Sequence, residues 1–290
     1  MSQTAFKGGL GTQRALDVRR SAPRRRNSVK ARRDELEIKF EALQKDYAEL
    51  HTSIFEAAQV HRRLCAPRLV RCGDFEIASE IFAVRHLAGD FFTVRNVKRG
   101  VVMALGDICG KGLAAGMWTT HLVGLVANRT EVSSDPEQIV AGVNRDLCLM
   151  ASAVPLASLF LARLDPVTGR LEYCSAGHPP AMLLRANGKL EFLSEGGLLL
   201  GVVAAAPYIR GYVELGPGDV LLTYSDGLLE SLNQADEEFG YTRIETQLRR
   251  AQNNSADAVL FSVLGAVQDF AAAQPLVDDM TLVIVRRNIR

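Results

Sequence analysis

The residues of this chain that could do chemistry are aspartates set where short apolar runs begin or end. Asp90 lies in Gly89-Asp90-Phe91-Phe92, immediately before one run. Asp107 lies in Gly106-Asp107-Ile108-Cys109-Gly110-Lys111-Gly112, where a second run gives way to a glycine-rich turn. Asp226 follows Leu221-Leu222-Thr223-Tyr224-Ser225 and precedes Gly227, and Asp278 and Asp279 form a doublet directly before Met280. Taken singly, each reads as a turn, because an aspartate beside glycine often caps local backbone donors. Four such sites on the edges of strands that share a sheet read differently, since carboxylates brought together repel one another unless cations neutralise them. Oxygen ligands without histidine or cysteine select Mg2+ or Mn2+ over zinc. A site for hard divalent cations is therefore expected.

Other reactive side chains are weaker candidates. Cys109 sits inside the glycine-rich turn, but a phosphocysteine route wants a loop of backbone donors followed by arginine, and Lys111 follows instead. No catalytic role is expected of that thiol. Lys111 either helps to neutralise a substrate phosphate or decorates a solvated turn. The segment is not a nucleotide-binding P-loop: Gly106 and Gly110 are four apart where that motif needs five, and Gly112 replaces the hydroxyl residue that would hold Mg2+. ATP hydrolysis and kinase chemistry are disfavoured accordingly. His178, between Gly177 and Pro179-Pro180, is expected to rigidify a loop, the alternative being a general acid for a leaving oxygen. His121 reads as a core histidine.

Strands must hold these residues. Phe75 to Val84, Phe91 to Val94 and Val101 to Ile108 read as strands, with Val97-Lys98-Arg99-Gly100 the turn between the last two. Leu113 to Asn128 is apolar nearly all round and is expected to be a buried helix, whereas Pro136 to Met150 carries Ile139, Val143, Leu147 and Met150 on one helical face. Strands resume at Leu159 to Leu164, Leu171 to Ser175, Met182 to Arg185 and Leu190 to Leu193, with hairpin turns at 165–169 and Asn187-Gly188. Val220 to Tyr224 is a further strand, Tyr241 to Gln252 and Ala256 to Ala273 are helices, and Met280 to Val285 is the last strand. Strand groups separated by helix pairs, with hairpins rather than βαβ alternation, predict an α+β layered domain on antiparallel sheet.

Composition bounds the rest. Of 290 residues 48% are hydrophobic, enough for a sizeable core, yet no apolar run approaches the roughly 18 residues of a membrane span, so a soluble globular protein is expected. The first 33 residues hold ten Lys or Arg against one acid, Asp17, which leaves 24 basic and 32 acidic side chains beyond them. A basic tail on an acidic body argues against a nucleic-acid enzyme, whose main surface should itself be basic. Residues 1–33 lack a hydrophobic period and are expected to be a disordered basic arm, a transit peptide being the alternative. From Leu36 the residues Phe40, Leu43, Tyr47, Leu50, Ile54, Ala57, His61 and Leu64 follow alternating spacings of four and three, the seam of a helix that seats against a partner. Asp34 and Glu35 suit its amino terminus and Pro67 ends it. A homodimer through residues 34–66 is expected, a helix folded onto its own domain being the alternative. Five scattered cysteines without a C-x-x-C pair, and no secretory signal, suit a reducing cytoplasm.

Together, Gly89-Asp90-Phe91-Phe92, the 106–112 turn, Ala176-Gly177-His178-Pro179-Pro180, Tyr224-Ser225-Asp226-Gly227 and Asp278-Asp279-Met280-Thr281 resemble, in order and spacing, the motifs of the metal-dependent serine/threonine protein phosphatases called PPM or type 2C. The closer likeness is to the SpoIIE-like bacterial branch, over roughly residues 67–290. The resemblance implies a central β-sandwich of two antiparallel sheets flanked by helix pairs, an αββα arrangement with a two-metal cleft at one end. It implies that Asp90, Asp107, Asp226 and Asp278, with the Ile108 carbonyl, hold two Mn2+ or Mg2+ ions, and that Asp279, Gly106 and Gly227 stand behind these ligands. Through water on the metals, Asp90, Asp107 and Asp226 are then catalytic. It further implies attack of a metal-bridging hydroxide on a phosphoserine or phosphothreonine of a signalling protein, such as a STAS-type anti-sigma-factor antagonist. An upstream sensor or activator acting through the helical segment is implied as well.

The likeness departs from the branch at two positions, Ala88 replacing a second glycine and Thr93 a second acid, which bears on an accessory metal. Arg85 is the nearest counterpart of the arginine by which some relatives grip substrate phosphate. The alternative to an active phosphatase is a weakly active or inactive scaffold of the same fold that signals through its helix.

Overall fold

A run such as Val101-Val102-Met103-Ala104-Leu105 is buried at every residue, so its strand must lie between two apolar layers. The computed structural model describes residues 14–98, 100–150, 155–272 and 274–289, with side chains from Lys30 onward, and gives such strands that environment. One six-stranded sheet has the order β1 (Leu69–Cys72), β2 (Phe75–Phe82), β12 (Met280–Arg287), β11 (Val220–Tyr224), β7 (Ala181–Leu184) and β8 (Leu190–Leu193). The other runs β10 (Gly211–Glu214), β6 (Arg170–Ala176), β5 (Ala157–Leu164), β4 (Gly100–Ile108) and β3 (Phe91–Val97). All these pairs are antiparallel, and β9 (Gly196–Gly197) adds one parallel pairing on β6.

The period of two sorts the side chains into three cores. Between the sheets, Phe75, Ile77, Leu221, Val283 and Val285 meet Phe92, Val101, Met103, Leu105 and Phe160. Alternate residues of the first sheet, among them Leu222, Leu282 and Ile284, pack on Ile244, Leu248, Val259 and Val263 of α5 (Gly240–Ala251) and α6 (Ala256–Ala271). Alternate residues of the second, among them Val102, Ala104, Leu159 and Leu161, pack on Leu122, Val126, Ile139 and Val143 of α2 (Leu113–Val132) and α3 (Pro136–Met150). This is the α+β sandwich with helix pairs outside that the motifs implied.

Several expectations change in detail. Helix α1 runs from Arg14 to Arg62, so residues 14–33 of the arm expected to be disordered are helical, while 1–13 lie outside the described residues. The arm's Arg, Ala and Leu are strong helix formers, and a charge count does not register that propensity. Helix α2 is not buried all round: Leu113 and Met117 are 53% and 66% exposed, because only the face carrying Ala115, Thr119, Leu122 and Val126 meets the sheet. Strands β1, β9 and β10 and the short α4 (Asp226–Leu229) were not anticipated, being two to four residues long and poor in periodicity. The chain falls into two units, residues 1–56 and 57–290. In the first, Leu36, Phe40, Leu43, Tyr47 and Leu50 are all 59–68% exposed. Among the described residues no helix is long and apolar enough to cross a membrane.

Candidate metal centre

Two antiparallel strand pairs bring the acids to one end of the sandwich. In the β3–β4 pair Phe91 lies opposite Gly106, which sets Asp90, just before β3, beside Asp107, near the end of β4. A side chain at Gly106 would strike the Phe91 ring and the Ser158 carbonyl, so glycine is required there. In the β11–β12 pair Tyr224 lies opposite Leu282, and Ser225 N–H donates to the Thr281 carbonyl at 3.0 Å. Asp226 and the Asp278-Asp279 doublet are thereby neighbours. Gly227 passes so close over the Asp279 carbonyl that any Cβ would collide with backbone.

Hydroxyls join the two sheets at this end. Ser225 Oγ and Thr281 Oγ1 each donate to Asp90 Oδ2 at 2.6 Å. Asp279 does something different from Asp278: its oxygens accept from Val84 N–H and Gly89 N–H, both at 2.7 Å, and so clamp the loop leading into Asp90. Thr119 of α2 donates to the Gly89 carbonyl at 2.6 Å and holds that loop from its other side. The position a Cβ on Gly89 would take is 3.2 Å from the Ile108 carbonyl oxygen and 3.4 Å from Asp107 Oδ1, so these two oxygens face a common point.

The electrostatics are those of crowded carboxylates. Asp90 is 1% exposed, and burial, then Asp107, push its carboxyl well above the usual range against the opposing hydroxyls of Ser225 and Thr281. Burial, then Asp226, push Asp107 up to about 6. Asp226 is raised by burial and then by Asp278, with Lys111 acting against the rise. Each acid thus feels the charge of the next along Asp90, Asp107, Asp226 and Asp278. Among the described residues no three His, Cys, Asp or Glu side chains already close into a finished chelate. The donor chemistry nonetheless fits hard divalent cations: neighbouring carboxylates, three of them raised by burial and then by one another's charge, and a backbone carbonyl, with no nitrogen or sulfur ligand among them.

The other candidates separate cleanly. Lys111 Nζ donates to Asp278 Oδ2 at 2.7 Å and to the Val277 carbonyl at 2.8 Å, so it is no mere ornament of a solvated turn. Arg85 lies over Gly112, where a Cβ would be 3.4 Å from its Cδ and Nη1; Gly112 itself has φ +80°. The Cys109 thiol is exposed and held above its usual range by burial, Asp107 and Asp226, the reverse of an activated nucleophile. His178 is buried, within 2.8 Å of Ser158 Oγ through Nδ1, and burial drives it down to about 3, so the ring is neutral and pins its loop. His121 packs edge-on against Trp118. Thr93 is buried and lines a cavity of about 120 Å³ with Leu64, Cys65 and Val123. Sequence reasoning missed Ser225, Thr281 and Thr119. The first two lie within quoted motifs, but nothing local shows that their hydroxyls converge on Asp90.

Residues 98–288, more than half of the chain, match the protein family described as Stage II sporulation protein E (SpoIIE). The chain belongs to the SpoIIE family. The span shared with that family contains Asp107, Asp226 and Asp278, whereas Asp90 precedes it. Over 248 residues the chain is 23% identical to the phosphoserine phosphatase RsbU of Bacillus subtilis, covering 83% of this chain and 72% of RsbU. Among solved structures, the SiaA-PP2C domain of Pseudomonas aeruginosa superposes with a TM-score of 0.72 at 18% identity, covering 82% of this chain and 97% of that one. The catalytic domain of the serine/threonine protein phosphatase PstP, solved with two manganese ions, gives 0.55 at 16% identity, covering 74% and 99%. These likenesses establish the PP2C fold for this SpoIIE-family chain.

Proposed function

We propose that residues 67–290 form a divalent-metal-dependent phosphoprotein phosphatase that removes phosphate from phosphoserine or phosphothreonine on a signalling protein. The observation that carries the reading is the gathering of four carboxylates from both sheets at one end of the sandwich, with Asp90 held by Ser225 and Thr281 of the opposite sheet. Asp90, Asp107, Asp226 and Asp278, with the Ile108 carbonyl, would hold two Mn2+ or Mg2+ ions. Such ions, when bound, supply Lewis acidity that activates water near neutral pH and offsets charge growing on phosphoryl oxygens.

The remaining work falls to the chain. Ser225 and Thr281 fix one oxygen of Asp90, which leaves the other as the one that would meet a cation. Asp279 and Thr119 hold the loop that carries Arg85 and Gly89. The exposed Arg85 guanidinium, close to Gly112 of the glycine-rich turn, would receive phosphate oxygens as a two-pronged donor. Lys111 steadies Asp278. No side-chain nucleophile is needed, in keeping with a neutral Cys109. The RsbU relative, a phosphoserine phosphatase, and the manganese-containing PstP neighbour support the reading. A STAS-type antagonist remains the proposed substrate class, and five free cysteines support a reducing cytoplasm. Phosphate release from p-nitrophenyl phosphate or a phosphoserine peptide is expected with Mn2+ and not with chelator; turnover that survives chelation contradicts the mechanism.

Two further outcomes follow. Ser225→Ala leaves Asp90 Oδ2 with Thr281 alone, and Mn2+ affinity should fall about ten- to a hundredfold, the usual penalty for losing a group that orients a ligand. A Mn2+ titration with the same midpoint in both proteins would remove the hydroxyl's role. The exposed seam of α1 supports a homodimer, so Leu43→Asp with Leu50→Asp should halve the particle mass seen by light scattering. An unchanged mass would count against the seam. An upstream activator acting through this helix remains part of the proposal.

A further inference from the structure

Beside the carboxylates lies a rim of apolar side chains that hydrolysis itself does not use. Leu156 is the innermost. Its carbonyl accepts from Cys109 N–H at 2.9 Å, and the next two residues, Ala157 and Ser158, pair with Ile108 and Asp107. Against it folds the segment after β9, whose Leu200 exchanges both backbone hydrogen bonds with Ala157. Asn144 of α3, fully buried, donates to the Val203 carbonyl at 2.8 Å and accepts from Gly201 N–H at 2.9 Å. The backbone of this segment is therefore fixed from two sides. Even so, Leu156, Leu198, Val202 and Val203 are 36–53% exposed.

Large apolar side chains held in the open on a fixed backbone mark a contact surface. The reaction says what covers this one. If the carboxylate end hydrolyses a phosphoprotein, the reading on which this inference rests, a substrate polypeptide whose phosphate reaches Asp107 has residues within reach of Leu156 and its neighbours. Leu156 is two strand residues from Ser158, the partner of Asp107, or about 7 Å. An extended substrate advances roughly 3.3–3.6 Å per residue, so the rim lies under positions about two to four residues from the phosphoserine.

We infer that the rim formed by Leu156, Leu198, Val202 and Val203 is the substrate-docking surface, and that it selects phosphoproteins with apolar side chains two to four residues from the phosphorylated serine. The test uses the full chain with Mn2+ and two phosphoserine peptides, identical except that one carries leucine and the other serine at positions two to four on both sides. The leucine peptide should show about tenfold higher kcat/KM, the scale on which apolar contacts discriminate. In Val203→Asp, and independently in Val202→Asp, the ratio of its kcat/KM to that for p-nitrophenyl phosphate should fall by a similar factor. Equal kcat/KM for the two peptides, a parallel fall for p-nitrophenyl phosphate in both variants, or a change in particle mass that makes the rim a self-association face would overturn the inference. In each of these cases Mn2+-dependent turnover of p-nitrophenyl phosphate by the unmodified chain keeps the phosphatase reading. Absence of that turnover sinks the reading and the rim together.

Discussion

Asp107→Asn is expected to lower Mn2+-dependent phosphate release by about a thousandfold or more, roughly 4 kcal/mol of transition-state stabilisation, while leaving the protein folded. Asp107 stands in the middle of the carboxylate chain, coupled to Asp90 on one side and Asp226 on the other. An amide keeps its shape but removes the charge that a cation would bridge. The same change relieves repulsion among buried acids, so in chelator at pH 7 the variant should unfold at or above the temperature of its parent. A residue that merely supports the fold would give the opposite sign, with activity and stability falling together. Steady-state kinetics beside thermal melts in chelator separate the two outcomes.

The second large effect concerns pH. Asp107 is raised to about 6 by burial and its acidic neighbours, and Asp90 is raised well above the usual range. Between the unfolded value near 3.9 and the folded value, the native protein binds more protons than the unfolded one, so stability falls as pH rises through that window. Metal-free protein should therefore melt higher at pH 5 than at pH 7, with Asp107 contributing on the order of 1 kcal/mol and a few degrees over that interval. Cations reverse the penalty because they favour the charged carboxylates. Mn2+ should raise the melting temperature much more at pH 7 than at pH 5. A metal-free protein that gains stability from pH 5 to pH 7, with no added response to Mn2+, would show that the acids are not crowded as described.

Strand runs and their turns were legible because period-two burial and Asn-Gly or Asp-Pro punctuation are local signals. Leu190–Leu193, after Asn187-Gly188, coincides with its expected bounds, as do the continuous apolar run Val220–Tyr224 and the helix Pro136–Met150 with its apolar face of period 3.6. The acids were legible as a set, since each sits at a strand end. What one stretch of chain cannot display is convergence. Ser225 and Thr281 meet Asp90 across separations of 135 and 191 residues, and only the docking of one sheet on the other gives their hydroxyls a partner. The Asp278-Asp279 doublet looks alike in sequence, yet its two members part: Lys111 takes the first and the backbone of Val84 and Gly89 takes the second. The exposed face of α2 and the rim around Val203 escaped for a related reason. Apolar composition predicts burial, and only packing shows which face has no neighbour.

Counting bound Mn2+ by equilibrium dialysis tests the central claim most directly. The account predicts two ions per unmodified chain, and weakened or lost binding in Asp107→Asn and Asp226→Asn variants that remain folded. A chain that takes up no Mn2+, or variants that bind the same number with the same affinity, would contradict it.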